Sequence, residues 1–206
     1  MPRALIVVTN HAHFEGTDRA TGAWFPELAH FHTAMAEAAI AVDYVSPQGG
    51  FIPLDPDSLS ATHMDALSWQ YYDDADYRQQ YLAHSLAPIQ IDPTAYDILC
   101  FAGGQGVMWD FPNNQTLGHL AQAIAEQGGI IAAIGHGVVG LLAMGTFVQG
   151  KRLTGNAFDE EPLKGAGATF ITSPEPVVID HRLVTGQDSQ SAQRVGEAAI
   201  TLLQDH

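Results

Sequence analysis

IIAAIGHGVVGLLAMG, residues 130–145, decides how the rest of the chain is read. A short, unbroken apolar run that ends in glycine suits a strand buried on both faces, and the apolar residues beyond it suit a helix entered through a sharp turn. Gly135 stands at that turn. A strand-to-helix elbow that presents a nucleophile holds its residue at positive φ, where only glycine sits without strain. Glycine has no side chain with which to attack. A tight strand-to-helix connection also needs glycine for purely structural reasons.

Working outward, apolar runs alternate with helical patterns. ALIVV (4–8), PELAHFHTAMAEAAI (26–40) and AVDYVS (41–46) read as a βαβ opening, with Pro26 in the first helical turn and Leu28, Phe31, Met35 and Ala38 on one face. YDILCFAGG (96–104), a helix around 114–127, GIIAAI (129–134) and a second helix from about His136 form another such unit. VVIDHRLVTG (177–186) predicts a hairpin across Asp180 to Arg182, and residues 189–204 a helix packing through Ala192, Val195, Ala199 and Leu202. Residues 51–93 interrupt the alternation. Within them SWQYYDDADYRQQYLAHSL predicts an amphipathic helix bearing Trp69, Tyr72, Tyr77 and Tyr81, read as an aromatic cap with its own small core near a sheet edge rather than as a substrate-contacting lid. Asp73 and Asp74 read as a solvated face.

The chain has 206 residues, 46% of them hydrophobic and 15% charged, the balance of one folded α/β domain spanning 1–206. Eight Lys plus Arg against 23 Asp plus Glu give a net charge of −15, with no basic patch to neutralise phosphates, so nucleic acid and anionic membranes are excluded as expected partners. The longest apolar stretch falls short of the roughly 20 residues of a membrane span. MPRALIVVTN reads as a first strand rather than a signal peptide, and the single Cys100 suits a reducing compartment, so a cytoplasmic location is expected. His11, His13, His30 and His32 invite a metal reading that no HExxH or CxxC spacing supports, and AGGQG lacks the Lys-Ser/Thr of a phosphate-binding loop. No metal and no cofactor are assigned. His30 and Phe31, one turn beyond Glu27, are expected along the same pocket wall or in the core beneath it.

Several ordered motifs resemble the ThiJ/PfpI superfamily, relatives of class I glutamine amidotransferase domains, and most closely its heat-shock chaperone and glyoxalase III branch. TGAWFPELAH (21–30) is similar to the Thr-Gly segment whose helix carries an acidic residue; VDYVSPQGG (42–50) and PLDPDSL (53–59) to the second strand and the loop beyond. FAGGQGVMWDFPNN (101–114) resembles the Gly-Gly-His-Gly loop, AAIGHGVVGLL (132–142) the Ala-Val-Cys-His-Gly-Pro elbow, and GKRLTG (150–155) and DHRLVTGQDSQSA (180–192) complete the order. The resemblance implies a flavodoxin-like three-layer α/β sandwich with a mostly parallel central sheet and a small cap insertion, and a homodimer.

Residue by residue, the resemblance puts Gly135 at the nucleophilic cysteine, His136 at the adjacent histidine and Glu27 at the first-helix acid. The third triad member, by spacing after LTG, falls on Glu161, with Asp159 and Glu160 as local competitors. The backbone N–H groups of Gly104 and His136 match the oxyanion-binding pair, and Gln105 stands where the branch carries His. A thiolate is ionisable near neutral pH and strongly nucleophilic; a hydrogen atom is neither, so the covalent chemistry should not run on this chain. Cys100, inside an apolar strand, is no substitute. A Glu27 as buried as its place implies favours protonation.

Three functions remain open. The first is a glyoxalase III-like lineage that converts 2-oxoaldehydes such as methylglyoxal to hydroxy acids, with this chain inactive for want of its thiol. The second is a non-catalytic protein, binding a small carbonyl compound or acting as a chaperone. The third is a proton-transfer enzyme using Glu27.

Overall fold

The computed structural model describes residues 1–172, 174 and 176–205. In chain order the elements are β1 (Arg3–Val7), α1 (Phe25–Glu37), β2 (Ala41–Val45), α2 (Ala66–Asp73), α3 (Ala75–Tyr77), β3 (Ile98–Phe101), α4 (Val107–Asp110), α5 (Gln115–Glu126), β4 (Ile130–Ile134), β5 (Arg152–Leu153), α6 (Glu160–Gly165), β6 (Thr169–Phe170), β7 (Val177–Asp180), β8 (Leu183–Gly186) and α7 (Ala192–Gln204). Six strands form one sheet in the order β2-β1-β3-β4-β8-β7, and β5 with β6 forms a separate pair. Every pairing in the main sheet is parallel except the β7–β8 hairpin. The chain steps from β1 outward to β2 and returns to place β3 on the other side of β1. A crevice therefore opens above the carboxyl ends of β1 and β3.

The register sorts side chains between two layers. Ile6 lies opposite Cys100, and Cys100 opposite Ala132, so these alternate residues face α1 and α7 with Phe31, Met35, Val195 and Ala199. Leu5, Leu99, Phe101 and Ile131 face the other way onto α5 with Leu117, Ala121 and Ile124. All residues of β3 and β4 are buried, which accounts for their unbroken apolar runs. Helices on both faces of a mostly parallel sheet make the three-layer, flavodoxin-like sandwich. Among the described residues no helix is long and apolar enough to cross a membrane.

Two elements differ from the sequence reading. The helix expected from His136 is a run of 3-10 turns, Gly135–Val148, broken at Met144 and Gly145. Val138 and Val139 are weak helix formers, and the small residues at 137 and 140 draw the run tight against Phe101, whose ring and carbonyl would clash with any side chain there. The single cap helix is instead α2, α3 and one π turn, Arg78–Leu82. Asp74 interrupts it by turning extended and accepting the N–H groups of Asp76 and Tyr77. The cap forms no separate core: its aromatic side chains pack at the β2 edge into the layer that already holds Phe25, Phe31 and Tyr44. The Tyr44 and Tyr77 hydroxyls bond at 2.8 Å, and the His32 ring packs against Tyr71, Tyr77 and Tyr81. That burial holds the His32 pKa down at about 4, so the ring is neutral in the fold.

Candidate functional site

Three segments meet at the crevice. The Trp24 N–H donates to the Gly103 carbonyl at 3.0 Å, tying the start of α1 to the loop after β3. Glu27, in the first turn of α1, thereby comes under Gly103, whose N–H donates to Glu27 Oε2 at 2.6 Å. Only 4% of Glu27 is exposed. Burial pushes its pKa up to about 8; the Gly103 N–H opposes this and the nearby Asp188 carboxylate adds to it. At neutral pH Glu27 is therefore mainly a neutral acid inside a polar pocket.

The raised pKa fixes a sign for stability. The folded state holds a proton that the unfolded chain releases near 4.5, so the contribution of Glu27 to stability declines as pH rises from about 4.5 to 8, against the rise that neutral His32 contributes between about 4 and 6.5. In urea unfolding, Glu27→Gln should remove that contribution and exceed the parent at pH 8 by about 4 kcal/mol. An equal slope in parent and variant would mean that Glu27 is ionised in the fold.

Gly135 follows β4 directly, at φ +54°. A Cβ built on it would lie 2.8 Å from Glu27 Oε1, and its three nearest atoms all belong to the Glu27 carboxyl. The next residue, His136, points Nδ1 at Asp159 Oδ2, 2.9 Å away. A carboxylate only accepts, so Nδ1 carries the hydrogen and Nε2 is left for the pocket. Asp159 is fully buried on the turn Ala157–Asp159, and the Asn156 side chain caps that turn by accepting the Phe158 N–H. The Asn156 N–H donates in turn to the Gly135 carbonyl at 3.2 Å, fastening this turn to the elbow.

The cavity so enclosed has a volume of about 240 Å³ and is lined by Trp24, Glu27, Gly104, Gln105, Gly135, His136, Asn156, Phe158, Asp188 and Ser189. Hollows of about 430 and 460 Å³ lie beside Met1 and Ile200 and within the cap, between Phe51 and Arg78, but neither joins a histidine to a carboxylate. Gly104, at φ +113°, passes so close to the start of α1 that a Cβ there would lie 2.2 Å from the Gly22 carbonyl oxygen. His136 is the second residue of its 3-10 run, where backbone N–H groups have no acceptor within the helix.

Five of the six residues named from the sequence, Glu27, Gly104, Gln105, Gly135 and His136, line this one cavity. Glu161 does not. It is exposed in the first turn of α6, beside Glu160, which pairs with Lys164. Asp159 takes the place beside His136. The signal was Asn156, which starts a capped turn ending at Asp159, with Pro162 marking the first turn of the helix beyond. Replacing Asp159 by Asn should cost about 2 kcal/mol and change the His136 ring tautomer seen by ¹⁵N NMR, whereas Glu161→Gln should stay within about 0.5 kcal/mol. The reverse pattern would restore Glu161 as the histidine's partner.

His30 and Phe31 leave the pocket wall: His30 Nε2 meets Asp65 of the cap at 2.7 Å, and Phe31 enters the core. Cys100 is wholly buried, and burial raises its thiol well above the usual range. Trp24, Asn156, Phe158, Asp188 and Ser189 were not singled out from the sequence. Asp188 and Ser189 reach the cavity from the end of β8, where the Asp188 side chain accepts the N–H groups of Gln190 and Ser191.

Known proteins match the chain over nearly its whole length. The DJ-1/PfpI family profile matches residues 26–202. The chain is 30% identical to a protein of Schizosaccharomyces pombe named "Probable glutathione-independent glyoxalase hsp3103", over 89% of this chain and 90% of that one. It is 23% identical to Glyoxalase 3 of Candida albicans, over 97% and 98% of the two chains. Among solved structures, the Rapid Encystment Protein 24 kDa of Francisella tularensis superposes with a TM-score of 0.89 at 30% identity, covering 98% of this chain and 99% of that one. Glyoxalase III from Candida albicans superposes with a TM-score of 0.85 at 23% identity, covering 98% and 97%. A profile match from the first turn of α1 into α7 and a shared fold over nearly the whole length lead to one conclusion: the chain belongs to the DJ-1/PfpI family.

Proposed function

We propose that this chain is a glyoxalase III-like protein whose cavity binds a small carbonyl compound of the 2-oxoaldehyde class, such as methylglyoxal, and that by itself it does not turn that compound over. The names of the yeast and Candida relatives support the substrate class. The single observation that carries the rest is Gly135: it has the positive φ of a nucleophile elbow, and its missing Cβ points at the Glu27 carboxyl. In the lineage's reaction an elbow thiol adds to the aldehyde carbon, and neighbouring groups move a proton between the two carbons. Here the backbone N–H groups of Gly104 and His136 receive the carbonyl oxygen, neutral Glu27 donates a hydrogen bond, and Asp159 orients His136. The bond-forming atom is missing.

The test pairs binding with turnover. Hydroxyacetone, which has the same carbon skeleton and no aldehyde, should shift the amide resonances of Gly104, Gln105 and His136 in ¹H–¹⁵N spectra. Methylglyoxal should give no lactate above a protein-free control when no thiol is added. Shifts confined to another region would remove the binding reading, and lactate from the unaided chain would remove the inactive one.

A further inference from the structure

The space over Gly135 is bounded by a carboxyl group and open to a cavity, an arrangement that suits sulfur arriving with the substrate rather than on the protein. We propose that the chain acts on the hemithioacetal that a small free thiol forms with a 2-oxoaldehyde, and that Glu27 isomerises this adduct to a 2-hydroxy thioester. This rests on the carbonyl-binding reading above.

Thiols add reversibly to aldehydes in water, so the adduct RS–CH(OH)–CO–R′ forms without the protein. In the cavity its sulfur lies over Gly135, where the atoms nearest to a Cβ position are those of the Glu27 carboxyl. The adduct's first carbon is then within reach of Glu27 Oε1. That oxygen is the free one, since Oε2 is held by the Gly103 N–H.

Ionised Glu27 takes the proton from the first carbon, leaving an enediolate whose charge faces the Gly104 and His136 N–H groups. His136 Nε2, freed by the Nδ1 bond to Asp159, moves the hydroxyl proton from the first oxygen to the second. Glu27 then returns its proton to the second carbon. One C–H bond breaks and one forms; the first carbon is oxidised by two electrons and the second reduced by two. The product, RS–CO–CH(OH)–R′, is an isomer, and no external oxidant or reductant is needed. The burial that holds Glu27 at about 8 makes it, once ionised, a stronger base than an exposed carboxylate.

The lining also selects the thiol. Among the described residues no Lys or Arg lines the cavity, while Asp188 does, joined by Glu27 once it is ionised for the reaction, and the chain as a whole carries −15. A thiol bearing a carboxylate is repelled; a neutral or cationic one is accepted. The volume of about 240 Å³ further favours a thiol of a few heavy atoms.

The experiment follows S-lactoyl thioester formation by proton NMR, with the intact chain, methylglyoxal and 2-mercaptoethanol, against the same mixture without protein. The expected result is at least a tenfold rate increase that grows toward pH 8, falls several-fold when mercaptoacetate replaces 2-mercaptoethanol, and is lost in Glu27→Gln. Gly135→Ala, which keeps the acid and fills the sulfur's space with a methyl group, should lose it too. A rate equal to the protein-free mixture, with the hydroxyacetone shifts still present, overturns the thiol proposal and leaves the carbonyl pocket standing. Loss of those shifts as well overturns both. Undiminished turnover by either variant also overturns the proposal.

Discussion

Gly135→Cys should convert methylglyoxal to lactate at least ~100-fold faster than the parent chain when no thiol is added. The substitution supplies an ionisable nucleophile at a backbone already in the elbow conformation, φ +54°. Two costs limit the gain. A side chain at that φ carries about 1–2 kcal/mol of strain, and the new Cβ would lie 2.8 Å from Glu27 Oε1, closer than real contacts allow. The second cost is modest because Oε1 ends a flexible side chain whose anchor is the other oxygen, on Gly103. In this background Glu27→Gln should remove most of the gained rate, since a neutral amide moves no proton between carbons. A folded variant whose introduced thiol titrates normally, yet which shows no turnover, would sink the assignment of Gly135 to the nucleophile position.

The second large effect is on stability. Gly104→Ala should lower the unfolding free energy by about 3–5 kcal/mol and abolish hydroxyacetone binding. At φ +113° an alanine Cβ would meet the Gly22 oxygen at 2.2 Å, the Trp24 nitrogen at 2.6 Å and the Ala23 carbonyl carbon at 2.8 Å. These are all backbone atoms and cannot swing away; relief would require the start of α1, and Glu27 with it, to move. Gly128→Ala is the control. It also has a positive φ, +89°, but no atom lies within 4 Å of its Cβ, so it should lose only the roughly 1–2 kcal/mol of conformational strain. Equal losses in the two variants would show that close approach contributes nothing at Gly104.

How far the sequence alone could be read depended on how local each determinant is. The parallel sheet was legible because β3 and β4 are buried on both faces and so are written as unbroken apolar runs. The cap's break at Asp74 was not, because one side chain accepting two N–H groups overrides the helical pattern of the aromatics around it. The 3-10 run after Gly135 escaped the reading for a similar reason: its geometry answers to Phe101, in a different strand.

The site divides in the same way. Residue identity alone determined that position 135 has no nucleophile, that a glycine there suits an elbow, and that an acid sits in the first turn of α1. Only the tertiary structure decided that this acid is held protonated near neutral pH, because its burial, which outweighs the opposing N–H of Gly103, is made by segments as far as 76 residues apart in sequence. Only the tertiary structure, too, decided between Asp159 and Glu161, since both follow the elbow at similar spacing and what separates them is the direction in which the capped turn delivers each carboxyl. Propensity and periodicity act over a few residues, whereas desolvation and a buried charge's partner depend on which segments the fold brings together.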